Sequence, residues 1–382
     1  MKKWLWLVFG FAVLFFVLII IGYFSKNYSD RYSNNIFDDQ YDLGSMNENT
    51  NENCDIEFSE YLIDPTKVQK LGQVGVVHGS GLYIVERSYI SLKNEFEGQR
   101  ISVYAPVDMT LISGSHYYNP ALPLTSMPDY ALWFDAGCNV EVALGHLKEV
   151  VEDIAVQLPE AKTHSRSEQL ERIKFNAGDL IGNFIYKQGD VAGFDFIVRD
   201  KKVTNKFINQ ERYSGNRASN LINGVCPYDF YTGEKKEVYY NLLGGGGGTI
   251  FRVKDCGKIS RDLAGTISGM WFMDKDIGES IYDGYKNGNY GTTVSIVGDE
   301  ERITFGNLGP NNVFWIYANN PTYKLPTEVN GEHCYQIYST NDNNSDGYAY
   351  FKVIDDMTME VYYSPSGQCP SAIPSSAKRY YK

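Results

Sequence analysis

The chain has 382 residues, 43% hydrophobic and 21% charged, a globular composition that excludes disorder along its whole length and suffices for two domains of about 100–200 residues each. Thirty-five Lys and Arg against 47 Asp and Glu give a net charge of −12, which offers no basic field to phosphate backbones, so nucleic acid is excluded as a main partner. Five histidines (His78, His116, His146, His164, His333) and six cysteines are the whole stock for metal or acid–base chemistry.

After Met1-Lys2-Lys3 an uncharged apolar run extends from Trp4 to Phe24, about the 20 residues that a helix needs to cross a bilayer core. A cleaved signal peptide would carry an apolar region of roughly 7–15 residues ending in small side chains. This run is longer and ends in Gly22-Tyr23-Phe24, so residues 1–24 are read as a transmembrane signal-anchor. Lys2 and Lys3 before it, against Lys26, Arg31 and Asp30 after it, place the bulk of the chain outside the cytoplasm. Residues 25–55 are rich in Asn, Asp and Ser and poor in large apolar side chains, and are expected to form a disordered tether.

Beyond the tether the pattern is mainly period two. Val74–Val77, Leu82–Val85, Gln99–Val107, Tyr130–Phe134, Val140–Leu144, Phe194–Val198, Val238–Leu242, Ile250–Val253, Thr292–Val297, Val313–Tyr317, Cys334–Tyr338, Tyr348–Ile354 and Met357–Tyr363 are short, rich in Val, Ile, Tyr and Phe, and separated by turn residues, which predicts strands. One helix outside the membrane is expected over His146–Leu158, where Leu147, Val150, Val151, Ile154 and Leu158 recur at helical spacing. Five consecutive glycines, Gly244–Gly248, read as a flexible linker. No Lys-Ser/Thr follows them, which argues against a phosphate-binding loop. They divide a first β domain, 56–243, from a C-terminal all-β domain, 249–382.

No CxxC pair occurs among the cysteines, which argues against a zinc knuckle or a thioredoxin-like site. In an oxidising compartment they would form disulfides, with Cys334 and Cys369 the first pair expected. The polar and aromatic stretches Asn205–Tyr213 and Cys226–Glu234 suit the rim of a binding groove but read more readily as solvated loops, and His116, His164 and His333 lie in loop-like sequence and are assigned to solvent.

Four segments of the first domain fall in a telling order: Val103–Gly114 (VYAPVDMTLISG), Glu141–Leu147 (EVALGHL), Ile173–Phe184 (IKFNAGDLIGNF) and Ala192–Asp200 (AGFDFIVRD). This order resembles, in degenerate form, the lysostaphin-type (LytM-like) zinc endopeptidases of peptidoglycan, over roughly residues 101–200. The resemblance implies a β-sheet domain with a zinc site. There His146 matches an assisting histidine, Asp195 stands where the family has a ligand histidine, and Gly193 stands where it has a second assisting one. Upstream, His78 offers a ligand, but Leu82 replaces the family's Asp. His78 and Asp195, with His146, are thus the set that zinc could use, although no cofactor is expected. His146 could equally be satisfied by a backbone carbonyl, and Asp195, between Phe194 and Phe196, by Arg199 or Arg212. In the second domain Gly269-Met270-Trp271 resembles the Gly-x-Trp of lipocalin-like barrels, which implies a β-meander or barrel with Trp271 in its core.

The reading is thus a mainly β, membrane-anchored extracytoplasmic protein, noncatalytic, binding a cell-envelope peptide, glycan or protein partner. An active zinc-dependent endopeptidase and a structural surface protein are the alternatives.

Overall fold

A computed structural model describes residues 54–75, 86–119, 126–163, 167–186, 193–213, 218–244, 256–273, 275, 292–297, 300–305, 313–316, 323–339 and 345–382. The apolar run Trp4–Phe24, the tether up to residue 53, His78, His164, Gly245–Gly248 and the expected strands Leu82–Val85 and Ile250–Val253 lie outside the described residues. No helix among the described residues is long and apolar enough to cross a membrane. The described chain is mainly β.

The first domain contains β1 (Val68–Leu71), β2 (Ser88–Leu92), β3 (Arg100–Tyr104), β4 (Met109–Tyr117), β5 (Asp129–Gly137), β6 (Val140–Leu147), β7 (Glu149–Val150), β8 (Glu168–Gln169), β9 (Lys174–Phe175), β10 (Leu180–Ile185), β11 (Gly193–Asp200) and β12 (Gly224–Val225). The main sheet runs in the order β1-β2-β11-β6-β5-β4-β8, and a small sheet, β3-β10-β7, lies apart from it. One face of the main sheet presents Leu111, Leu132, Phe134, Val142, Leu144, Phe194, Phe196 and Val198 to the core. The other carries a small separate cluster of Ile112, Trp133, Ala143 and Ile197.

The helix expected over His146–Leu158 is replaced by strand and turn. Leu147 ends β6, Glu149 and Val150 pair with Asn183 and Gly182 of β10, and only α1 (Glu152–Ala155) is helical. Its apolar spacing was produced by two strands and a turn that each bury side chains in one core. Val238–Leu242, expected as a strand, lies in α3 (Gly233–Leu242), which follows α2 (Ala218–Asn223). After Gly233 the run Glu234-Lys235-Lys236-Glu237 supplies good helix formers to the first turns of α3, and Tyr239 is its buried contact. Cys226–Glu234 is not a solvated loop: Tyr228 and Tyr231 are fully buried and pack with Phe58 and Tyr239.

Three disulfides pair all six cysteines: Cys54–Cys138, Cys226–Cys256 and Cys334–Cys369. The Cys334–Cys369 pairing is the one expected from sequence. Cys54–Cys138 fixes the end of the tether to the β5–β6 turn, where Cys138 and Asn139 both have positive φ, as a two-residue type I′ hairpin requires. Cys256 and Ile259 belong to the first core, so core membership divides the chain further along than the glycine run.

The second domain is a meander of β13 (Gly269–Trp271), β14 (Thr292–Val297), β15 (Glu300–Phe305), β16 (Val313–Ile316), β17 (Glu332–Ser339), β18 (Ser345–Asp355), β19 (Thr358–Ser364) and β20 (Lys378–Tyr381), each antiparallel to the next. Phe272 and Tyr381 exchange backbone hydrogen bonds of 2.8 and 2.7 Å, an isolated bridge that joins the last strand to the residue that follows the first. Trp271 is fully buried inside with Ile303, Phe305, Tyr335 and Phe351. His333 lies in β17 with its ring edge-on to Tyr335, 4.4 Å between centroids, rather than in a solvated loop.

Cys334 opposes Tyr350 across β17 and β18, so its bond to Cys369 ties down the connection between β19 and β20. All six cysteines are expected to resist alkylation in the native chain, as read by mass spectrometry. Cys334→Ser with Cys369→Ser should lower stability by about 2–4 kcal/mol, and labelling of any cysteine in the unreduced chain would contradict this pairing.

Candidate functional site

The site forms at the end of β6 because that strand carries an irregularity. Tyr130 pairs with Leu147 and Leu132 with Leu144, so Gly145 and His146 together oppose Ala131, a β-bulge. Leu144 and Leu147, three apart, therefore both reach the core. Strict alternation would put His146 on the core side with Leu144. Instead its backbone takes φ +64°, a left-handed conformation that costs a non-glycine residue about 1–3 kcal/mol. Its ring thereby reaches Asp129 and Asp195, on the face of Gly145.

The side chains on that face form one chain of alternating charge. Arg87 Nη1 donates to Asp195 Oδ2 at 2.7 Å, and Arg87 Nη2 lies 3.8 Å from Glu86. His146 Nε2 is 3.5 Å from the same Asp195 oxygen, and His146 Nδ1 is 2.7 Å from Asp129 Oδ2. Lys148 Nζ closes the chain on Asp129 Oδ1 at 2.5 Å and also donates to Met127 O. The Asp129 and Lys148 side chains are 0% exposed, Asp195 6% and His146 17%.

Burial alone would lower the His146 pKa, but the Asp195 charge and the Asp129 hydrogen bond outweigh it and raise it. Burial alone would raise Asp129, yet the bond and charge of His146, with Lys148, hold its carboxyl below the ordinary value. A raised folded-state pKa means that the contribution of protonated His146 is complete below its ordinary value near 6.5 and is lost as pH rises through the raised one. The depressed Asp129 contributes above the usual carboxylate range and loses that as pH falls through its folded value. Stability should therefore decline as pH rises above the ordinary histidine value in the native chain and not in His146→Gln. Urea midpoints across pH measure this, and parallel curves for the two proteins would refute it.

His146 and Asp195, two of the residues expected from sequence, thus meet. The partner of Asp195 is Arg87, not Arg199, which pairs with Glu141 at 2.8 Å, nor Arg212, which stacks on Phe272 at 4.5 Å. The partner of His146 is a carboxylate rather than a backbone carbonyl. His116 is not solvated: its Nδ1 lies 3.1 Å from Leu158 O and its ring stacks on Tyr130 at 4.0 Å. Sequence reasoning passed over Arg87, Asp129 and Lys148. The available signal was the three-residue spacing of Leu144 and Leu147 inside a strand, which announces a bulge and turns the residues around it toward the second face.

Among the described residues a zinc site does not fit this arrangement, and His78, the third member of the expected set, lies outside them. Asp195 is engaged by a guanidinium, and a side chain at Gly193 would collide with the Ile90 carbonyl, so no histidine can stand there without moving β2. Among the described residues no group of three His, Cys, Asp or Glu side chains is placed to hold a metal ion. Farther along the same face Ser113 opposes Trp133 and Ser115 opposes Ala131. Both hydroxyls are buried without a hydrogen-bond partner among the described residues, a state that costs about 1–3 kcal/mol per group. The chain matches no family model, no curated protein and no solved structure.

Proposed function

We propose that this chain is a membrane-anchored extracytoplasmic protein whose first domain has a degenerate lysostaphin-like frame. It binds an envelope peptide, glycan or protein partner without cleaving it. The observation that carries this reading is the ion chain: Arg87, Asp195, His146, Asp129 and Lys148 each stand against an opposite charge. The hydroxyls of Ser113 and Ser115 lie on that face, and a partner that displaces the side chains covering them would give both a hydrogen-bond partner. Six paired cysteines suit a location outside the cytoplasm, as does the charge asymmetry around Trp4–Phe24.

The test is retention of the purified full-length chain on isolated cell-envelope material. Retention above that of an unrelated acidic β protein, weakened at least tenfold by Ser113→Val with Ser115→Val, is the expected result. Equal retention of both proteins would favour a purely structural surface protein, and release of peptidoglycan fragments would favour the endopeptidase.

A further inference from the structure

Among the described residues, groups of both signs stand around Asp195. Glu86, Asp195 and Asp129 supply three negative charges, and Arg87, Lys148 and protonated His146 supply three positive ones. Asp195 lies opposite Tyr89 in the β2–β11 pairing, and Arg87, two residues earlier, emerges on the same face. That placement brings Arg87 Nη1 to Asp195 Oδ2 at 2.7 Å, with Nη2 3.8 Å from Glu86.

We propose that Arg87 is the resident cation of this site: its guanidinium stands against Asp195 where the resembled peptidases keep a metal ion, and the domain holds its charge balance with protein groups alone. A divalent ion on Asp195 would face a fixed positive charge beside it and a second one on His146, and like charges in so buried a site repel strongly. Removing the guanidinium reverses this, leaving Asp195 and His146 3.5 Å apart with a net negative site.

This inference does not depend on which partner the domain binds. It is tested by zinc content and thermal unfolding of the full-length chain, independently of envelope retention. The native chain, purified without chelator, should carry far less than one zinc per molecule, and neither EDTA nor added zinc should move its Tm. Arg87→Ala should melt at lower temperature and regain part of the loss when zinc is added. Arg87→Lys, which keeps the charge, should stay indifferent to zinc, and it preserves the test if Arg87→Ala does not fold. Near-stoichiometric zinc in the native chain, a Tm lowered by EDTA, or a zinc response of Arg87→Lys would overturn the proposal.

Discussion

Replacing Asp129 with alanine is expected to lower the unfolding free energy by about 3–5 kcal/mol, the cost of stranding a buried charge. Lys148 Nζ is 2.5 Å from Asp129 Oδ1 and both side chains are shut off from water, so the ammonium would keep its desolvation cost and lose its main counter-charge. His146 would lose the carboxylate that orients its Nδ1. Its left-handed backbone would then have less to hold it in place. Asp129→Leu combined with Lys148→Met should recover most of the loss, since apolar groups of similar volume often match a buried ion pair in stability. Urea unfolding of the three proteins measures this. If Asp129→Ala costs under about 1 kcal/mol, the range of exposed pairs, the account of the pair as buried is wrong.

The second large effect is expected where the first and last strands of the second domain meet, where Lys382→Ala should also cost about 3–5 kcal/mol. Its ammonium pairs with Asp262 Oδ1 at 2.7 Å, donates to Ser268 O at 2.6 Å and lies 4.4 Å over the Trp271 ring. Lys382 and Asp262 are 1% and 3% exposed. The pair also joins the domains: Asp262 Oδ2 accepts from Ile208 N, and Asn209 Nδ2 donates to Lys382 O. The stretch Asn205–Tyr213 is therefore an interdomain contact, not a groove rim or a solvated loop. Gly269→Ala offers a second probe, because φ there is +108° and an added Cβ would collide with Asp262 and Lys382. Thermal unfolding followed by circular dichroism should show both variants losing the second domain first. Unchanged melting of Lys382→Ala would rule out its role as the closing latch.

Most of the period-two runs of Val, Ile, Tyr and Phe form strands, and Thr292–Val297 matches β14 at both ends, whereas Val238–Leu242 is helical because it continues the helix-forming run that opens α3. The resemblance of Gly269-Met270-Trp271 to the Gly-x-Trp of lipocalin-like barrels implied a core tryptophan, and Trp271 is fully buried. Cys334–Cys369 was legible because both residues flank the final strands. Where elements of different type abut in one core, local spacing misled: the apolar positions from Leu147 to Leu158 satisfy a helix by accident.

The scarcity of histidine, set by the sequence alone, limited acid–base chemistry to a few positions, and His146 and Asp195 were recognisable from their strands. Tertiary structure alone decided what those residues do. The bulge at Gly145-His146 turns the ring toward Asp129, and the β2–β11 pairing brings Arg87 to Asp195 across 108 residues of sequence. Charge pairing depends on distance in space, and strand register, fixed only when the sheet assembles, sets that distance.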